Sequence, residues 1–138
     1  MIACTPDSVC PCGRVNAKSK ALHYGQCCGQ WLEEGLPAPD AHALMRSRYS
    51  AYCLERTSYL LRTWHASTRP AEITFVTRVK WLGLQVCRHR VLDADHADVE
   101  FVARQREPGG RAVRLHEHSH FVREDGRWYY VDGDLPQQ

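Results

Sequence analysis

Five of the seven cysteines, Cys4, Cys10, Cys12, Cys27 and Cys28, fall within the first 28 residues, and four of them form two pairs. Cys10-Pro-Cys12 sets two thiolates one residue apart, and Cys27-Cys28 presents two adjacent ones after an intervening loop. An odd cysteine total suits a disulfide framework poorly, and in a reducing compartment such crowding reads as metal ligation. Four soft ligands delivered by two chain segments suit tetrahedral zinc, with Cys10, Cys12, Cys27 and Cys28 as the ligand set. Four protein ligands leave no open position for water, so this zinc is expected to be structural. It would supply folding energy that so short a segment cannot obtain by burial. Cys4 and His23 are reserve ligands, His23 as the replacement for one thiolate in a three-Cys, one-His set. The contrasting reading is a group of free or redox-active thiols.

The cysteine-bearing segment also holds Pro11, Gly13, Gly25 and Gly29, a loop-rich composition without a core of its own. A chain of 138 residues accommodates one domain with a small appendage, here a knuckle over 1–32 and a main domain over 33–138. With 43% apolar and 25% charged residues the chain is globular rather than disordered. No apolar run approaches the roughly 20 residues of a spanning helix, so no membrane is expected. The N-terminal residues Met-Ile-Ala-Cys-Thr-Pro-Asp lack a basic stretch followed by an apolar core, which predicts a cytoplasmic protein without a secretory signal. A net charge of +2 leaves a nucleic-acid partner undecided, because phosphate binding shows as a clustered basic face.

Residues 31–39 end in Leu-Pro-Ala-Pro and read as a linker. Asp40 then stands where an N-cap would. Leu44, Met45, Tyr49, Tyr52 and Cys53 recur at three- and four-residue steps, which predicts a helix of about four turns with one apolar face. A second helix is expected over Thr57–Trp64, burying Tyr59, Leu60, Thr63 and Trp64. From Trp81 the period changes to two. Turn signals at Asp93–Ala97, Pro108-Gly109-Gly110 and Asp125-Gly126 divide the remainder into strands over Lys80–Leu92, Asp98–Arg106, Ala112–Arg123 and Arg127–Asp132. Short connections make these an antiparallel meander, and helices followed by strands make the chain α+β, the helix pair covering one face of the sheet.

Cys10-Pro-Cys12-Gly13 followed by Tyr24-Gly25-Gln26-Cys27-Cys28-Gly29 resembles the SEC-C motif, a zinc module also found at the C-terminus of the preprotein translocase ATPase. The fourteen residues between Cys12 and Cys27 make a longer loop than that motif has, and the extra segment is Arg14–Leu22. Further along, Leu44-Met45-Arg46-Ser47-Arg48-Tyr49-Ser50-Ala51-Tyr52, Thr63-Trp64-His65, Trp81-Leu82-Gly83-Leu84, His116-Glu117 and Phe121–Gly133 resemble the YchJ family of small bacterial proteins. That resemblance spans essentially the whole chain. It implies a SEC-C knuckle on a domain similar to nuclear transport factor two, in which helices lie across a strongly curved antiparallel sheet in a cystatin-like cone. It implies no activity.

Cones of that class often enclose a pocket between helix and sheet, and fold alone does not say what it does. Arg46, Arg48, His65 and Arg69 lie on or just after the helices that would close it, and an arginine there can pair an anionic ligand through two hydrogen bonds. The plainer reading has Arg46 and Arg48 solvated or bound to backbone carbonyls, and Tyr49, Tyr52 and Trp64 in the core. His116-Glu117-His118-Ser119-His120 in a strand lines three imidazoles along one side, with Glu117, Ser119 and Phe121 on the other. A metal site using His116 and His118 competes there with a solvated strand face, and the His116–Glu117 pair reads better as a structural or pocket-lining hydrogen-bond pair. Asp93, Asp95, His96 and Asp98 lack the spacing of a calcium loop and read as a solvated hairpin. Cys53 and Cys87 are expected to be buried and inert. In function the chain reads first as a zinc-binding adaptor whose knuckle, with Arg14, Lys18 and Lys20, contacts an acidic protein, a ribosome or RNA. The alternative is a small-molecule-binding protein or enzyme that uses the pocket, and a third reading has the basic knuckle loop contact nucleic-acid phosphate.

Overall fold

The computed structural model describes residues 4–75 and 79–135. The leader expectation drawn from Met1, Ile2 and Ala3 therefore lies in part outside the described residues, as do the outermost residues of the two expected units. A short helix α1 (Gly29–Leu32) precedes α2 (Ala41–Cys53) and α3 (Thr57–Arg62), and four strands follow: β1 (Lys80–Asp93), β2 (His96–Arg106), β3 (Ala112–Glu124) and β4 (Arg127–Asp134). The strands form one antiparallel sheet in the order β1-β2-β3-β4, so each pairs with its neighbour in sequence. The α+β meander expected from the turn signals is thus the observed fold.

Local chemistry accounts for the joints. Asp40 caps α2 by accepting from the Ala43 amide at 2.7 Å. Asp125 and Gly126 turn the last hairpin with φ of 52° and 77°, the positive pair that matches strand twist. The hairpin between β1 and β2 is tighter than the sequence suggests, with only Ala94 and Asp95 outside the strands. Bulges in the β1–β2 pairing between Trp81 and Gly83, Val86 and Arg88, and Val91 and Asp93 bend that edge of the sheet.

Three expectations need correction. The second helix ends at Arg62 rather than Trp64, because the chain leaves it to pair with β4: the Tyr130 amide donates to Thr63 O at 2.8 Å and the His65 amide to Tyr130 O at 2.7 Å. Trp31 and Leu32 belong to α1 rather than to the linker. Helix α2 is buried all round rather than on one face; even Ser47, Arg48 and Ser50 are buried. It lies between the knuckle, α3 and the sheet, so a single core joins Cys10, Cys12, Cys27 and Cys28 to Leu44, Met45, Leu60, Val99 and Phe121.

Candidate functional site

The cysteine knuckle is assembled from two short ladders. Val9 bridges His23 and Val15 bridges Ala21, so the long loop between the cysteine pairs closes into a hairpin, turned at Asn16, whose Oδ1 accepts from the Lys18 and Lys20 amides. The extra segment Arg14–Leu22 therefore projects without separating Cys12 from Cys27. A 3-10 turn over Tyr24–Gln26 delivers Cys27, and Cys28 begins α1. Gly29 permits this return: a Cβ there would sit 2.7 Å from Tyr24 O.

All four thiols are buried and their sulfurs lie within 4.8 Å of one another. The Cys10–Cys12 and Cys12–Cys27 sulfurs are each 3.7 Å apart. Four sulfurs at about 2.3 Å from a central zinc have tetrahedral edges of about 3.8 Å, so the spacing suits a four-thiolate metal. Side-chain hydrogen bonds from Cys12, Cys27 and Cys28 pull the Cys10 thiol far below its ordinary value, whereas Cys27 and Cys28 are pushed up. A buried group of sulfurs this close cannot carry four uncompensated charges, and a divalent cation removes that conflict. Of the reserve ligands, Cys4 is half-buried and His23 exposed, and neither belongs to the cluster.

Three arginines fasten the knuckle to the helices. Arg46 Nη1 donates to Cys12 O at 2.9 Å, Arg62 Nη2 to Trp31 O at 3.3 Å, and Arg56 pairs with Glu33 at 2.8 Å, where Glu33 also accepts from the Tyr24 hydroxyl. Cys10 Sγ lies 3.7 Å from Ser50 Oγ on α2. The sulfur side of the knuckle is consequently an internal surface.

On the other side of α2 a cavity of about 380 Å³ opens between helix and sheet. Met45, Tyr49, Phe75, Trp81 and Phe101 give it apolar walls, and Arg48, Glu117, Ser119 and Tyr130 give it one polar end. Arg48 is only 5% exposed. Its Nη1 donates to Leu60 O and Thr63 Oγ1, both at 2.8 Å, and its guanidinium stacks 5.0 Å from the Trp64 ring centroid and 4.6 Å from that of Tyr130. Trp64 Nε1, beneath the same guanidinium, is buried without a partner among the described residues. Burial pulls the Arg48 pKa down, yet a guanidinium stays charged. Glu117 Oε2 accepts from Ser119 Oγ at 2.6 Å and from the Tyr130 hydroxyl at 3.3 Å. Burial, and then the Glu117 charge, push the Tyr130 hydroxyl up, which keeps it a donor.

The structure disperses the other sequence candidates. Arg46 serves the knuckle and also donates from Nε to His42 Nε2 at 2.8 Å. His65 pairs with Glu124 and Ser67 at the surface, and Arg69 donates to Trp64 O. His116 and Glu117 both line the cavity, but only Glu117 turns its polar group to Ser119 and Tyr130; the His116 ring meets Glu100 on the neighbouring strand at 2.7 Å. Asp98 is not part of a solvated hairpin but lies in β2, buried, opposite His120. Cys53 is half-buried and Cys87 exposed, so the expectation that both are buried does not hold; β1 is an edge strand and leaves Cys87 uncovered. Sequence reasoning missed Ser119 and Tyr130. Ser119 was accessible to it, standing two residues from Glu117 on the same strand face, whereas Tyr130 requires the pairing of β4.

Residues 40–133 match the family model described as YchJ, middle NTF2-like domain. A UPF0225 protein of Polaromonas sp. strain JS666 is 63% identical over 134 residues, covering 96% of each chain, and one from Bordetella parapertussis is 53% identical over 131 residues, covering 93% of each. Among solved structures, a SEC-C motif containing protein from Rhodopseudomonas palustris superposes with a TM-score of 0.81 at 31% identity, covering 94% of this chain and 100% of the other. One from Psychrobacter arcticus gives 0.77 at 29%, covering 96% and 85%.

Proposed function

The chain belongs to the YchJ family, and from that premise we propose that it is a small-molecule-binding protein whose SEC-C knuckle holds one structural zinc through Cys10, Cys12, Cys27 and Cys28. In this reading the knuckle spans 1–32 as a brace and the NTF2-like domain, 33–138, carries the binding cavity. The ligand has a largely apolar body and a polar head offering an acceptor to Arg48 and a donor to Glu117. The observation that carries the reading is Arg48: a guanidinium only 5% exposed that lines the cavity beside Glu117, Ser119 and Tyr130, a charged and hydrogen-bonding end on otherwise apolar walls. Burying a charge is costly unless it is paired, and an acceptor group on a ligand would offset part of that cost. The cavity volume lies within the range of small-molecule sites.

The test is native mass spectrometry of tag-free protein, followed by thermal shift against a panel of small aromatic and aliphatic carboxylates and amides. The expected result is a retained small mass, or stabilisation by a panel member, that Arg48→Gln and Glu117→Gln each diminish. Binding unchanged in both folded variants, or no retained mass and no stabilisation by any compound, overturns the reading.

A second reading, the adaptor, is favoured by the outward side of the hairpin, where Val9 and Val15 are exposed beside Arg14, Lys18 and Lys20. It would dock an acidic protein, or a ribosome, through that hairpin rather than through the sulfur face. A pull-down in which Val15→Asp and Lys20→Glu leave every captured partner in place would remove it.

A further inference from the structure

The outer face of the sheet, away from both the cavity and the knuckle, gathers a second set of ligand-type side chains. Asp98 on β2 lies directly opposite His120 on β3, and His118 is the next outward residue along β3. His118 Nε2 stands 3.1 Å from Asp98 Oδ2 and His120 Nδ1 stands 3.1 Å from Asp98 Oδ1, so two imidazoles converge on one carboxylate. One ligand atom from each of the three residues lies within 4.8 Å of the others. Asp98 is only 6% exposed, and an isolated carboxylate so buried requires cationic or coordinating partners. On the far side of the His120 ring, Nε2 meets Asp134 Oδ2 at 2.9 Å. With a metal between His120 Nδ1 and Asp98 Oδ1, that carboxylate would hold the ring proton on Nε2 and leave the Nδ1 lone pair to the metal; such an outer carboxylate is the usual companion of a metal-ligating histidine.

We propose that Asp98, His118 and His120 form a second, divalent transition-metal site, with Asp134 as the positioning residue behind His120. Two imidazoles and one carboxylate suit zinc, cobalt, nickel or iron(II) rather than calcium or magnesium. Three protein ligands leave coordination positions for water or for an exogenous ligand, unlike the closed thiolate set. His116 takes no part, because Glu100 engages its ring, and Arg90, 3.4 Å from Asp98 Oδ2, limits affinity by competing for that oxygen.

Cobalt(II) distinguishes the two sites in one titration, since thiolate ligation gives an intense ultraviolet charge-transfer band and imidazole–carboxylate ligation gives weak visible bands alone. The wild-type protein, stripped of metal and reloaded, is expected to take up a first equivalent with the thiolate band and a second without it. His118→Ala and His120→Ala, at half-exposed positions that tolerate truncation, should each abolish the second uptake while retaining the first. Asp134→Asn should weaken the second uptake about tenfold or more. As a second measurement, the ring resonances of His118 and His120 should broaden with the second equivalent while that of His65 does not. Saturation at one equivalent overturns the proposal, and so does a second uptake that survives both histidine substitutions or leaves the His118 and His120 resonances sharp.

Discussion

Withdrawing zinc should lower the melting temperature of the whole protein, and not only of its N-terminal segment, because the cysteine cluster shares one core with α2 and the sheet. A metal that binds the native state alone stabilises it by mass action, so each tenfold fall in free zinc above the dissociation constant removes about 1.4 kcal/mol. For 138 residues, at about 2.1 cal/mol/K per residue, the unfolding entropy is about 0.29 kcal/mol/K. The quotient is a shift of about 5 °C per decade of free zinc. The assay is differential scanning calorimetry in a series of zinc buffers spanning several decades, with tryptophan fluorescence of Trp31→Phe protein in parallel, whose remaining tryptophans, Trp64, Trp81 and Trp128, lie on or beside the sheet. A single transition moving at this slope is expected. A flat midpoint, or two transitions of which only the smaller moves, would show the knuckle to be a separate cooperative unit and refute the reasoning from the shared core and the arginine contacts.

Three further outcomes follow from particular contacts. Ser47 Oγ donates to Leu44 O at 2.7 Å and so must accept from the Tyr59 hydroxyl 2.6 Å away; Tyr59→Phe should cost about 1 kcal/mol in urea unfolding and Ser47→Ala about 2, because the latter strands a buried hydroxyl. Burial, with the Arg46 and Arg14 charges beside it and Asp40 only partly opposing them, pushes His42 down to about 4 from 6.5. Its contribution is present above pH 6.5 and lost as pH falls through 4. After discounting for solvent, His42→Gln should therefore lose about 1–2 kcal/mol less than wild type across that window in pH-dependent unfolding. A Cβ at Gly133 would fall inside the Glu117 side chain; Gly133→Ala should displace the carboxylate from Ser119 and Tyr130 and lower the melting temperature by about 3–7 °C, and an unchanged midpoint would show that Glu117 relocates freely.

The parts legible in the sequence were those governed by neighbours in the chain. Asp40 caps because its side chain reaches an amide three residues on, and Asp125-Gly126 turns because of its own backbone. The paired cysteines announce a cluster because the pairing is itself local. What stayed hidden depends on register and on long-range packing. That β4 reaches out to Thr63 and His65 and shortens α3 cannot be seen from the 57–64 pattern, nor can the bond from Arg46 across 34 residues to Cys12 O. Asp98 looked like a turn residue until the β2–β3 pairing set it against His120. The phase of α2 was partly readable: Leu44, Arg48 and Tyr52 succeed one another at four-residue steps, so the burial of Arg48 was implicit in a face that otherwise reads as apolar.

The order in which the arginine contacts occur along the chain bears on biosynthesis. Arg46, Arg56 and Arg62, with Ser50, include every fastening described for the knuckle, and all precede the first strand at Lys80. As the polypeptide emerges from its N-terminus, metal capture and docking of the knuckle on α2 need not wait for the meander. Closure of the sheet then begins on a helix already held from one side.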